Sequence, residues 1–143
     1  MAKPAVFIDR DGVINVDHGY VHDEHDFEYI DGVFEATKAL KDQGYLLVLV
    51  TNQSGIGRGY FDEVMLGRIH DRMHELLAAE GVTLDAVYFC PHLTEHDCRC
   101  RKPKPGMLLQ AAQDMELEVE RSWLVGDSPR DIAAGRAAGL RTI

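Results

Sequence analysis

The stretch Ala5-Val6-Phe7-Ile8-Asp9-Arg10-Asp11-Gly12 decides how this chain is read. Four consecutive apolar residues without polar alternation describe a strand buried on both faces, as in a parallel sheet flanked by helices. Two carboxylates follow at once, so they stand just past the end of a core strand, the rim at which open α/β sheets bind ligands. Gly12 lets the chain turn and bring Asp9 and Asp11 toward one pocket. Such a pair can bind a divalent cation, or divide the work of nucleophile and proton shuttle. The same residues would equally make a solvated Asp-Gly turn.

Outward from this stretch the pattern repeats. Residues 13–31, rich in Asp, His and Tyr, read as a loop on the ligand side. Val33, Ala36, Thr37 and Leu40 recur at helical spacing over residues 32–43, and Gly44 is a good stop. Residues 45–50 form a second apolar strand with the polar tip Thr51-Asn52-Gln53-Ser54. Helix, buried strand and polar tip make the βαβ rhythm. Gly55-Ile56-Gly57-Arg58-Gly59 reads as a flexible segment able to wrap a ligand, and residues 62–80 as a helix with Met65, Ile69, Met73, Leu76 and Leu77 on one face. A weaker strand over 82–89 leads to a cysteine loop, 90–104, and then to a helix opened by Pro105. Residues 122–125 give a fourth strand ending in Gly126-Asp127-Ser128; Pro129 opens a last helix that Gly139 closes. Arg141-Thr142-Ile143 is the start of a fifth strand, which reads as cut short. The expected fold class is α/β with a mostly parallel central sheet.

At 143 residues and 16.0 kDa the chain is expected to be one domain, 1–143, with a real core and no room for a cap domain. A net charge of −9 argues against nucleic-acid and anionic-membrane partners. Nothing resembles a secretory leader, and no apolar run has the length of a membrane span. The three cysteines fall within residues 90–100, too close together for a spread disulfide framework. A reduced, cytoplasmic, monomeric protein is the expectation.

Carboxylates and amides gather at strand ends: Asp9 and Asp11 after the first strand, Thr51 and Asn52 after the second, Asp127 after the fourth. A parallel sheet puts these ends on one edge. The residue types suit phosphoryl transfer through an acyl-phosphate, with Mg²⁺ on hard oxygen ligands such as Asp9 and Asp127. Thr51, Asn52 and a lysine can hold the phosphoryl oxygens on which charge spreads in the transition state. Lys102 and Arg101 are the cations for that role, in a basic run, 99–104, that also reads as a solvated turn. Cys90, His92, Cys98 and Cys100 supply three sulfurs and one imidazole within eleven residues, a ligand set for a closed tetrahedral zinc site. Zinc there would be structural, aiming Arg101 and Lys102 into the pocket. Three free thiols with a surface histidine are the alternative, and His96 is a substitute for His92.

Taken in order, Asp9-Arg10-Asp11-Gly12-Val13, Thr51-Asn52, Lys102 and Gly126-Asp127-Ser128-Pro129-Arg130-Asp131 resemble the motifs of the haloacid dehalogenase-like phosphatases, and the likeness runs over essentially the whole chain. The resemblance implies a Rossmann-like three-layer α/β/α sandwich. It implies Asp9 as nucleophile and Asp11 as general acid and base, with Thr51 and Lys102 steadying the phosphoryl group. Mg²⁺ would be held by the carboxylates of Asp9 and Asp127 and the backbone carbonyl of Asp11, with Ser128 and Asp131 supporting the metal shell.

Three further stretches, 15–21, 51–59 and 90–103, are similar to those of heptose bisphosphate phosphatases. By that likeness Asp17, His18, Gly19, Tyr20, Asn52, Gln53, Ser54 and Arg101 contact a phosphorylated sugar, in the supply of activated heptose for lipopolysaccharide core or S-layer glycan. The family pattern favours His92 as the zinc ligand. The gap between His92 and Cys98 is shorter than in some heptose bisphosphatases and resembles the related histidinol-phosphate phosphatases, the runner-up reading. A catalytically silent, zinc-stapled binding module is the alternative from another class.

Overall fold

The computed structural model describes residues 2–16, 19, 28–93 and 98–143. Asp17, His18, Tyr20 and His96 therefore lie outside the described residues. Five parallel strands form one sheet in the order β3-β2-β1-β4-β5: β1 Ala5–Ile8, β2 Leu46–Asn52, β3 Ala86–Cys90, β4 Trp123–Val125 and β5 Arg141–Thr142. The expected α/β class and parallel sheet are found. Phe7 of β1 pairs with Val48 on one side and Leu124 on the other, so the opening stretch is the middle of the sheet.

Strand geometry sends alternate side chains to opposite faces. Val6 and Ile8, with Leu47 and Leu49, join Ile69, Met73 and Leu77 of helix α3 (Glu63–Ala79) in one core; Val33 of α1 (Val33–Asp42) closes it. Ala5 and Phe7, with Val48, Val50 and Leu124, meet the other core, built by Met107, Leu108 and Ala111 of α4 (Gly106–Asp114) and Ala134 of α5 (Pro129–Ala137). The layers are thus α/β/α. Fully burying one such aliphatic side chain is worth about 1.5–3 kcal/mol.

Helix ends follow local chemistry. Asp62 caps α3 by accepting from the Met65 amide at 2.9 Å, and Gly81, at φ +78°, turns the chain out of it. Ser128 and Asp131 form a capping box at the start of α5, with Pro129 in its first turn.

Several boundaries differ from the sequence expectation. β2 runs on through Thr51 and Asn52, which pair with Phe89 and Cys90; the polar tip is strand, not turn. β3 begins at Ala86 because Val82 and Leu84 instead pack into the core beside α3. The segment expected to be flexible contains a one-turn helix, α2 (Ser54–Gly57), packed so closely that a Cβ on Gly55 would overlap the Phe61 ring. Ser122 precedes β4, its hydroxyl accepting from the Ala5 amide at 2.9 Å. Among the described residues no helix is long and apolar enough to cross a membrane.

Candidate active site

The parallel sheet delivers its strand ends to one edge, where a cavity of about 560 Å³ is lined by Asp9, Asp11, Gly19, Thr51, Asn52, Gln53, Ser54, Arg58, Arg101, Lys102, Asp127, Ser128 and Arg130. Every sequence-derived candidate that lies among the described residues borders this cavity, except Asp131 beneath it and the Cys/His set behind Arg101.

Lys102 is the hub. It is 4% exposed, and its Nζ donates to Asp9 Oδ1 at 2.9 Å, Asp131 Oδ1 at 2.5 Å and the Val50 carbonyl at 3.3 Å. Its main chain is gripped as well: Asn52 Oδ1 accepts from the Lys102 amide at 3.0 Å, and Asn52 Nδ2 donates to its carbonyl at 3.2 Å. Asn52, expected at the sugar, lines the cavity while its amide places the lysine.

Asp9, Asp127 and Asp131 can bring carboxylate oxygens within 4.8 Å of one another. Two glycines permit this approach. A Cβ on Gly12, at φ +87°, would overlap the Asp127 carboxylate, and one on Gly126 would overlap Asp131. One ammonium against three carboxylates leaves excess negative charge, and these hard oxygens could hold a metal ion. Burial pushes the Asp9 carboxyl up to about 7 against the pull of Lys102, with Asp131 and Asp127 adding to the rise. A bound cation opposes that rise by favouring the carboxylate.

Asp11 is held apart from this cluster. Its Oδ1 accepts from Arg10 Nη2 at 2.8 Å, Arg10 Nε at 3.1 Å and Asn15 Nδ2 at 2.9 Å. Gln53 Nε2 donates to Asp11 Oδ2 at 3.2 Å and to Thr51 Oγ1 at 2.9 Å. Arg10 Nη1 in turn meets His70 Nε2 at 3.3 Å. Burial, then the charge of Arg10, lowers His70 to about 3, so it is neutral and its Nε2 accepts. Arg10, Asn15 and His70 escaped the sequence reading; an arginine wedged between two catalytic-type aspartates was the one available signal.

Cys90 ends β3, so the cysteine loop starts where the sheet stops. Cys90, His92, Cys98 and Cys100 each offer a ligand atom, all within 4.8 Å of one another, and together could hold a metal ion. Cys90 Sγ and Cys98 Sγ are 3.8 Å apart, and His92 Nδ1 lies 3.4 Å from Cys90 Sγ and 3.2 Å from Cys100 Sγ. Cys90 and Cys100 face each other closely as well, with Cα atoms 5.6 Å apart. Arg101 follows directly, and its Nη1 donates to the His92 carbonyl at 3.2 Å.

Residues 99–143 match a family model described as HAD-hyrolase-like. Over 149 aligned residues the chain is 56% identical to a D-glycero-beta-D-manno-heptose-1,7-bisphosphate 7-phosphatase of Vibrio cholerae, covering 99% of this chain and 80% of that protein. It is 52% identical to the enzyme of the same name from Pasteurella multocida, over 97% of this chain and 79% of that one. The fold superposes, at a TM-score of 0.92 and 38% identity over 97% of this chain and 78% of the other, on the D,D-heptose 1,7-bisphosphate phosphatase of B. bronchiseptica, whose crystal structure holds magnesium and phosphate. A central parallel sheet with an acidic, lysine-centred edge and identities of this size agree: the chain belongs to the haloacid dehalogenase-like phosphatases, in the branch of the D-glycero-beta-D-manno-heptose-1,7-bisphosphate 7-phosphatases.

Proposed function

We propose that this chain, as a single phosphatase domain spanning residues 1–143, is a monomeric, cytoplasmic enzyme. It removes the C7 phosphate of D-glycero-D-manno-heptose 1,7-bisphosphate to leave the 1-phosphate. The beta anomer is specified by the names of the relatives. The observation that carries the reading is the Asp9–Lys102–Asp131 cluster beside Asp127, carboxylates gathered around a buried lysine that lines the cavity. The product would feed activated heptose for lipopolysaccharide core or S-layer glycan.

Asp9 is the nucleophile: a carboxylate oxygen attacks phosphorus, the P–O bond to C7 breaks, and an aspartyl-phosphate forms. Asp11 protonates the departing sugar oxygen, then takes a proton from the water that attacks the same phosphorus and frees Asp9. Thr51 Oγ1 and Lys102 Nζ hold phosphoryl oxygens, with Asn52 fixing the lysine. Mg²⁺ would be bound by Asp9, Asp127 and the main-chain carbonyl of Asp11, with Ser128 and Asp131 in support, and would offset the charge of the phosphoryl oxygens. Gly19, Gln53, Ser54 and Arg101 make the sugar end of the pocket, and Arg58 and Arg130, which also line it, add positive charge. Asp17, His18 and Tyr20, outside the described residues, are assigned to the sugar by the family likeness alone.

We assign zinc to Cys90, His92, Cys98 and Cys100. Zinc–sulfur bonds of about 2.3 Å at tetrahedral angles put sulfurs about 3.8 Å apart. The 3.8 Å between Cys90 and Cys98 supports that geometry, and a metal would open the Cys90–Cys100 contact to the same span. Phosphate release with Mg²⁺ from the heptose bisphosphate, histidinol phosphate and phenyl phosphate tests the whole reading. Preference for the heptose bisphosphate is expected. Preference for histidinol phosphate would reassign the substrate, and no release from any of them would favour a binding module.

A further inference from the structure

Arg10 is 0% exposed and ranks first by volume among the fully buried side chains, although its neighbours Asp9 and Asp11 line a polar cavity. A buried guanidinium is costly unless each of its faces is paired, so its partners are informative. Nε and Nη2 both donate to Asp11 Oδ1, at 3.1 and 2.8 Å, and Asn15 Nδ2 donates to the same oxygen at 2.9 Å. Nη1 reaches His70 Nε2 on α3 at 3.3 Å. The Arg10 carbonyl accepts the amides of Val13, Ile14 and Asn15 at 3.2, 2.8 and 3.1 Å, which folds the turn around the pair. A planar fork gripped at both ends fixes direction as well as distance. Asp11 Oδ1 is tied down by charge and amide donors, while Oδ2 meets the neutral Gln53 amide at 3.2 Å among residues that line the cavity.

We propose that Arg10 and His70 are positioning residues for Asp11: His70 holds the guanidinium, the guanidinium holds Oδ1, and Oδ2 is thereby the oxygen presented to the leaving group. This rests on the reading of Asp11 as the proton donor above.

Leaving-group dependence separates this role from scaffolding, because a poor alkoxide leaving group needs the proton and p-nitrophenolate does not. Single-turnover release of the leaving group would be measured with Mg²⁺-loaded enzyme on the heptose bisphosphate and on p-nitrophenyl phosphate. Arg10→Lys and His70→Leu are expected to slow release from the sugar substrate about 10- to 100-fold, at unchanged KM, and release of p-nitrophenolate by less than about threefold. His70→Gln, which keeps an acceptor for Nη1, is expected to recover most of the loss. Equal losses on both substrates, or none on either, overturn the proposal. If Arg10→Lys fails to fold, as read by circular dichroism, the His70→Leu and His70→Gln pair decides. Asp11→Asn is the control: a leaving-group-dependent loss there without one in the Arg10 and His70 variants sinks the relay alone, whereas equal losses in Asp11→Asn sink the acid assignment and the relay with it.

Discussion

Two clusters of side chains adjoin Lys102, one bonded to its ammonium and one ending two residues before it in the chain, and they are held by opposite means. The Asp9–Asp127–Asp131 cluster inherits its geometry from the sheet: β1 and β4 are neighbours in register, Ile8 beside Val125, and the residues that follow each strand emerge together. Gly12 and Gly126 then let the carboxylates close in. The Cys90–His92–Cys98–Cys100 group has only the end of β3 behind its first member, and its four side chains meet one another instead. A site built on strand ends is expected to keep its frame when one carboxylate is lost, and the loop to loosen when one of its Cys or His side chains is lost.

The largest expected effect tests the first half of that contrast. Asp9→Asn should lower turnover by about 10⁴-fold or more, since the amide cannot form the acyl-phosphate. Zinc content and thermal midpoint should stay close to the parent's, because β1 and its neighbours are untouched. Phosphate release with a melting curve checks it; a collapsed fold would mean that the carboxylate itself supports the edge.

Lys102→Met should cut turnover about 10²- to 10³-fold by removing a phosphoryl ligand. It should also destabilise by about 3–5 kcal/mol, because Asp9 and Asp131 are left buried without their cation. Denaturant melts would read the second number. A loss of activity without loss of stability would separate the lysine from the carboxylate network.

Cys98→Ser addresses the loop. It should lose bound zinc and about 10- to 100-fold in activity, through disorder of Arg101 and Lys102. Metal analysis beside the rate is the check. Activity and zinc content equal to the parent's would show that the loop is held by something other than its ligands.

The smallest expected effect lies outside both groups. His70 has its pKa lowered from 6.5 to about 3 by burial first and by Arg10 second. The unfolded chain therefore binds a proton that the folded one refuses between those values, so this residue's contribution is present above about 6.5 and is lost as pH falls toward 3. Melting curves across that window should show His70→Leu with a shallower acid limb than the parent. An unchanged slope would place the acid sensitivity elsewhere, most simply in the carboxylate cluster.

That Asp9, Asp11, Thr51 and Asp127 share one cavity is legible in the sequence. Each follows an abrupt change from apolar to polar residues at a strand end, and a parallel sheet leaves such ends one place to go. Lys102 joins them from the basic run after the last cysteine. The cysteine loop is legible for a different reason, since three sulfurs and an imidazole in a short span have few other uses. Boundaries were less legible. Thr51 and Asn52 looked like a turn but extend β2, because pairing with Phe89 and Cys90 outweighs their local preference.

What the linear chain determined alone was the alternation of buried strand and amphipathic helix, and with it the edge on which the carboxylates would meet. Those signals are local: hydrophobic period, caps and stop residues act over a few positions. Only the tertiary structure decided which oxygen of Asp11 is gripped, that Asn52 serves the Lys102 main chain 50 residues away, and that Arg10 is buried against His70 60 residues away. These are choices among partners brought together by packing. A donor has many acceptors in sequence and one within reach after folding, and nothing written locally records which.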